Sequence, residues 1–152
     1  MIVKDMSSEN CADVLSRGHI AHLACARDNR PYVVPIQYVF ESPSLYSFSM
    51  PGQKIDWLRT NPNVCVQVGE IKDNEDWQSV VVEGRYEEFP DDAQWHDERL
   101  HAWSLLEKRA SWWEPGALKP GAAATGEKAM APVFFTIHID SVTGRQSSVA
   151  DT

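Results

Sequence analysis

The chain has 152 residues, 43% hydrophobic and 24% charged, which is enough apolar material for the core of one domain of ordinary size. Its formal net charge of −8 repels nucleic acid and anionic lipid, but leaves room for a local basic pocket around one phosphate. No stretch approaches the ~20 consecutive apolar residues of a membrane span. The opening "MIVKDMSSEN" has no apolar run of signal-peptide length, so the expected location is the cytoplasm.

Residues 7–17, "SSENCADVLSR", predict a first helix, with Ser7 as N-cap, Glu9 in the first turn and Gly18 at the close. Ile20 to Ala26 reads as a strand, and "RDNRP" as a turn. "YVVPIQYVF", 32–40, predicts a second strand with Pro35 in its middle; "ESPS" turns, and "LYSFSM", 45–50, is a third. "QKIDWLRT" then predicts a helix of about two turns, ended by "NPN". "VCVQVGEI", 64–71, is the fourth strand, and after the "KDNED" turn "WQSVVVEGRYEEF", 77–89, is a long fifth with Gly84 as a bulge. Residues 91–110 predict the longest helix, with Ala93, His96, Leu100, Trp103, Leu106 and Ala110 on one face. "PVFFTIHI", 132–139, is the sixth strand. Between these last two, "WWEPGALKPGAAATGEKAMAP", 112–132, has no period; its Trp112–Trp113 start suggests a packed end and "KPGAAATGEK" a mobile stretch.

Most strand connections are too short for a crossover helix, so neighbours are antiparallel. Six such strands with a few helices predict one mainly β (α+β) domain over 1–152, a closed or partly closed antiparallel barrel. Cys11, Cys25 and Cys65 are odd in number and irregularly spaced, which argues for reduced thiols, with Cys25 and Cys65 as small core residues on strands.

Four stretches carry candidate chemistry. Pro35 in "VVPIQY" cannot donate a ladder hydrogen bond, so it marks an edge or a local opening whose free backbone groups could dock a flat heterocycle, with Gln37 beside it. "SFSMPGQKIDWLR", 47–59, leads a strand into a helix start, where unpaired N–H groups favour anions. There Ser49 offers a hydroxyl, Gly52 a close backbone approach and Lys54 a charge. Cations disfavour a helix N-terminus, and a bound anion would remove that conflict. Ser79 in "WQSVVVEGR" could bond a ligand beside the barrel. The Trp112–Trp113 pair could anchor the loop or cover an aromatic ligand. No phosphate-loop, dinucleotide or nucleophile-elbow motif is present. His19 and His22 lie on opposite strand faces, His96 and His101 are badly spaced on a helix, and no Cys/His set has zinc spacing.

In this order, "IAHLACARDNRPYVVPIQYVF", "LYSFSMPGQKIDWLRTNPNVCVQV", "WQSVVVEGRYEEF" and "PVFFTIHIDSVTGR" resemble the pyridoxamine 5′-phosphate oxidase-like FMN-binding proteins, in the branch related to nitroimidazole-resistance proteins, over roughly residues 10–146. The resemblance implies a six-stranded split β-barrel of Greek-key type with peripheral helices. It also implies a homodimer holding FMN at the subunit interface, with a small-molecule electron donor or acceptor as partner. Val34, Pro35, Ile36 and Gln37 would line the isoalloxazine, and Phe48, Ser49 and Met50 the ring and ribityl chain. Lys54 would meet the phosphate, and Ser79 and Val80 would complete the site. Relatives often carry histidine where Phe48 stands. The arginine-rich C-terminal segment of the true oxidases is reduced here to Arg145 in "DSVTGRQSSVADT", which speaks against oxidation of pyridoxamine phosphate. No residue is marked as a general acid or base, with Tyr32, Tyr38 and His22 the available candidates. The same fold family includes F420 reductases and haem-handling members, for which His22 or His138 would have to be an axial ligand, and a flavin-binding module without turnover is a further reading.

Overall fold

The computed structural model describes residues 1–108 and 132–149. The expected loop up to residue 131, its Trp112–Trp113 pair and the end of the helix expected at 91–110 lie outside the described residues.

Alternation of apolar and polar side chains sets the strands. β2 (Ile20–Arg27) buries Ala21, Leu23 and Cys25, and β6 (Asn63–Asp73) buries Val64, Val66 and Val68, each with intervening residues turned outward. β3 (Arg30–Gln37) returns from β2 through Asp28-Asn29, both at positive φ (51° and 63°), the left-handed geometry that a tight hairpin demands. β4 (Val39–Glu41) and β5 (Ser44–Ser49) form a second hairpin, with Ser42–Pro43 at its tip. β7 (Asp76–Phe89) and β8 (Val133–Ser148) complete an antiparallel sheet of order β3-β2-β6-β7-β8-β5-β4, and β1 (Ile2–Asp5) is added to β8.

The described sheet therefore has eight strands rather than six, and three differences have physical causes. The segment expected as one strand, 32–40, is two: it leaves β2 after Gln37, passes through Tyr38, and joins β5 as β4. Tyr38 is buried at this switch, its hydroxyl donating to the Leu15 carbonyl at 2.8 Å. β8 continues to Ser148 through a polar sequence, because its ladder to β7 and β1 runs the whole way. At Gly84 the ladder does shift, but the extra residue is Asp140 on β8; a side chain on Gly84 would sit 2.4 Å from the His138 carbonyl.

Two helices close the barrel. α1 (Ser8–Arg17) starts on Ser7, whose hydroxyl accepts from the Asn10 N–H as expected, and buries Cys11, Val14 and Leu15. α2 (Gln53–Thr60) inserts Ile55 and Leu58 into the same core, which holds Leu23, Val66, Val82 and Phe135. α3 (His96–Glu107) lies outside, where Ala102, Trp103 and Leu106 cover Phe89 and Phe134 in a second core. Ala93 and His96, expected on its buried face, are exposed, since 93–95 form a separate 3-10 turn and the stripe that packs is Arg99, Ala102, Trp103 and Leu106. No helix among the described residues is long and apolar enough to cross a membrane.

Candidate functional site

The partner switch at Tyr38 creates the site. β3 ends one side of the sheet, and β5 lies next to the other end, yet the chain ties them together at Gln37. There the buried Ser47 hydroxyl donates to the Gln37 carbonyl. Beyond this tie β3 follows β2 and β5 follows β8, so the two strands diverge. The wedge between them is a cavity of about 460 Å³ lined by Ile20, Pro35, Ile36, Gln37, Phe48, Ser49, Met50 and Lys54. That volume and apolar lining suit a small organic ligand.

The structure thus gathers Pro35, Ile36, Gln37, Phe48, Ser49, Met50 and Lys54 around one cavity. Ile20 was missed; only its pairing with Gln37 across the ladder brings it there. Val34 stands half-buried in the same strand but does not line the wedge. Val80 faces the barrel interior and is fully buried among core residues. Ser79 is on the outer face of β7, where its hydroxyl accepts from Gln67 Nε2 at 3.1 Å. Neither Ser79 nor Val80 reaches the wedge of its own chain.

Pro35 sits on the edge strand, as expected, but it does not open the ladder: its pairing with His22 is in continuous register. The free backbone groups of β3 are those on its outer edge. Phe48 is half-buried and packs against Phe134, with ring centroids 6.1 Å apart. The Ser49 hydroxyl donates to the Met50 carbonyl at 2.9 Å. Gly52 caps α2 in extended backbone open to any residue, and no side chain among the described residues caps the helix start.

Lys54 is the charged group of the site. It is half-buried and makes no ion pair among the described residues. Burial lowers its pKa from the ordinary 10.5, against a smaller opposing pull from Cys25. Burial in turn raises the Cys25 thiol, which Lys54 partly offsets. An ammonium that has lost water and gained no counter-charge, beside an uncapped helix start, is an arrangement that favours an anion.

The other candidates are engaged elsewhere. His22 Nδ1 meets Gln67 Oε1 at 3.2 Å, and His138 Nε2 lies 3.4 Å from Glu87; neither lines the wedge. Tyr38 is committed to Leu15, and Tyr32 packs against Trp57. Arg145 pairs at the surface with Asp5 at 3.3 Å, its opposite number in the β1–β8 ladder. Among the described residues all three thiols are free, and no cluster of His, Cys, Asp and Glu could hold a metal. Cys65 faces outward and is only half-buried, unlike Cys11 and Cys25.

Comparison with known proteins bears on the same fold. The chain is 50% identical over 151 residues, 99% of each chain, to an uncharacterized protein of Rhizobium meliloti. It is 48% identical to a solved structure described as an FAD-binding protein of Mesorhizobium loti, with a TM-score of 0.79 over 97% of this chain and 100% of that one. A candidate 5-nitroimidazole antibiotic resistance protein of Bacteroides thetaiotaomicron shares the fold at 19% identity, with a TM-score of 0.69 over 96% of this chain and 89% of that one. The sequence profile described as pyridoxamine 5′-phosphate oxidase matches residues 7–146, nearly the whole span of the sheet and its wedge. On that match and the split-barrel architecture, the chain belongs to the pyridoxamine 5′-phosphate oxidase family.

Proposed function

We propose that the wedge binds a flavin nucleotide and that the protein is a flavin-dependent oxidoreductase acting on a small-molecule electron donor or acceptor. Of the flavin nucleotides, FMN is the smaller, with a flat ring for the apolar walls and one phosphate for Lys54. The observation that carries the reading is Lys54, half-buried and without a carboxylate partner among the described residues, at the mouth of an apolar wedge. The 48% identity to a protein described as FAD-binding supports a flavin as the ligand class.

In this reading Pro35, Ile36 and Gln37 offer a wall and a backbone edge to a flat ring. Phe48 and Met50 form the facing wall, and Lys54 with the Ser49 hydroxyl and the α2 N–H groups holds the phosphate. A bound flavin supplies the one- and two-electron chemistry, while the chain binds, orients and shields it. No described side chain lining the wedge is a carboxylate, histidine or tyrosine, so proton transfer falls to solvent or substrate. Family membership alone does not carry the pyridoxamine phosphate reaction with it: Arg145 does not line the wedge and pairs with Asp5 at the surface.

A homodimer fits the mouth of the wedge, where Ile20 and Met50 are 52% and 44% exposed, with Val33 at 62% on the neighbouring strand face. Such a row of apolar side chains favours cover by a second copy. Ser79, on the outer sheet face, could meet a ligand only from that second copy.

The test is the absorbance spectrum and mass of whatever co-purifies, followed by titration with FMN, FAD, F420 and haem. A yellow protein stabilised by FMN or FAD is expected. Colourless protein that neither flavin stabilises, or tighter binding of F420 or haem, would overturn the reading.

A further inference from the structure

Of the described lysines, Lys4, Lys72 and Lys108 are exposed, and Lys72 lies 3.9 Å from Asp76. Lys54 differs from all of them. It is half-buried, it lines the wedge, and no hydrogen bond or ion pair holds it among the described residues. The neighbour that acts on its charge is the Cys25 thiol, which burial keeps towards its protonated form. Around the amine the cavity is apolar, with Ile20, Pro35, Ile36, Phe48 and Met50 in its walls and no carboxylate among its lining residues.

A lysine in such surroundings is a nucleophile as well as a charge. Burial lowers its pKa, so a larger share of it is free amine at neutral pH than in an exposed lysine. Its ammonium has lost water, and no counter-charge among the described residues offsets the loss. Two events relieve that cost: an anion arrives, or the nitrogen becomes neutral. The first is the flavin phosphate. The second calls for a neutral electrophile that fits apolar walls, which describes an aldehyde with a hydrocarbon chain.

We propose that in the ligand-free protein the Lys54 amine condenses reversibly with an apolar aldehyde lodged in the wedge, and that aldehyde and flavin exclude one another. The exclusion rests on the flavin reading above; the capture rests on the cavity and its amine. The Nζ lone pair attacks the carbonyl carbon and forms the C–N bond, while the C=O π pair moves to oxygen. One nitrogen proton passes to that oxygen through solvent, giving a carbinolamine. The C–O bond then breaks, the leaving hydroxyl departs as water with the last nitrogen proton, and a neutral imine remains. Nothing is oxidised or reduced, and hydrolysis runs the same steps in reverse. The chain lies against Ile20, Ile36, Phe48 and Met50, so each added CH2 increases the apolar burial until the wedge is full. The same amine thus makes flavin loading sensitive to carbonyl compounds.

The experiment is reductive trapping of the apoprotein at neutral pH with cyanoborohydride and either acetaldehyde or hexanal. Peptide mass mapping reads the adducts, with Lys4 and Lys72 as internal references. Hexanal should label Lys54 at least about tenfold faster than Lys4 or Lys72, the scale of burying roughly two CH2 groups, and acetaldehyde should show a much smaller preference. Saturating FMN should suppress labelling of Lys54 and leave Lys4 and Lys72 unchanged. In Lys54→Arg, whose guanidinium does not form the imine, trapping with hexanal should no longer block later FMN binding, read by quenching of flavin fluorescence. Equal labelling of the three lysines, or labelling of Lys54 that ignores chain length, would overturn the capture while leaving the flavin reading in place. Preferential labelling in a protein that binds neither FMN nor FAD would overturn the flavin reading and leave the capture standing. Bound flavin that fails to protect Lys54 would overturn the exclusion.

Discussion

The buried Ser47 hydroxyl donates to the main-chain carbonyl of Gln37, and that bond ties β5 to β3 at the foot of the wedge. Ser47→Ala leaves a carbonyl without its partner, so a stability loss of about 1–3 kcal/mol is expected in chemical denaturation. Ligand affinity should fall as well, because the two walls lose their fixed separation. Unchanged affinity in a destabilised variant would show that the tie supports the fold alone.

Lys54→Ala should weaken flavin binding by about 1.5–3 kcal/mol, the range of a hydrogen bond to a charged group. Lys54→Met should also stabilise the ligand-free protein, because it removes a partly desolvated charge that has no ion pair among the described residues. The check is a pair of melts, with and without FMN: the variant should melt higher alone and gain less from the ligand.

The Lys54 shift has a sign that pH can read. Its folded pKa lies below the ordinary 10.5 of the unfolded chain, so below both values the protein carries a buried charge at a cost. That cost is relieved as pH rises through the folded value towards 10.5, and this contribution to ligand-free stability should grow there. Phosphate affinity should move the opposite way in the same alkaline window as the ammonium is lost. Lys54→Arg should abolish the alkaline fall, measured as Kd against pH.

A side chain on Gly18 would sit 2.2 Å from the Tyr38 hydroxyl and 2.9 Å from Val68. Gly18→Ala should therefore cost about 1–3 kcal/mol by overpacking. Combined with Tyr38→Phe, which removes the nearest atom, the loss should be smaller than the sum of the two single changes. Strict additivity in denaturant melts would refute the contact.

Arg99 is 4% exposed, with its guanidinium 5.4 Å from the Phe134 ring and its Nε without a hydrogen-bond partner among the described residues. Its charge is answered by Asp91. Asp91→Asn should destabilise by about 1–3 kcal/mol, because it leaves a buried cation uncompensated. Arg99→Met, which removes the charge and keeps the bulk, should cost less. The reverse order in thermal melts would show that the pair itself is the stabilising element.

The legibility of this chain follows a physical divide. Local signals read correctly: Ser7 capping α1, the Asp28-Asn29 turn, and α2 with Lys54 in its first turn. The lining of the wedge was legible in two ways: Pro35, Gln37, Ser49 and Lys54 carry recognisable local chemistry, and Ile36, Phe48 and Met50 came with the family resemblance. What failed depends on partners distant in sequence. Nothing in "YVVPIQYVF" marks the residue where one strand changes neighbours, since both halves are apolar. β1 and the polar half of β8 are held by each other's backbone and by β7, not by hydrophobic pattern. The carboxylates of "DDAQWHDE" carry no pattern that marks a partner, yet Asp91, itself exposed, neutralises the buried Arg99 and Asp92 accepts from the Trp95 N–H. Ser79 and Val80 take opposite faces of β7, and it is the sheet's packing that turns Val80 into the core and Ser79 outward.

β8 has a consequence for the order of assembly. One of its edges pairs with β7, and the other is shared by β5 and β1, so residues as early as Ile2 wait for residues as late as Ser148. During synthesis the β3-β2-β6-β7 half can form while β5 and β7 keep an open edge. Until the ribosome releases residues 133–148, those edges are templates for a neighbouring chain. Pairing over such sequence distance also slows folding. Yield in cells should therefore depend on expression rate and chaperone supply more than the stability of the finished barrel would suggest.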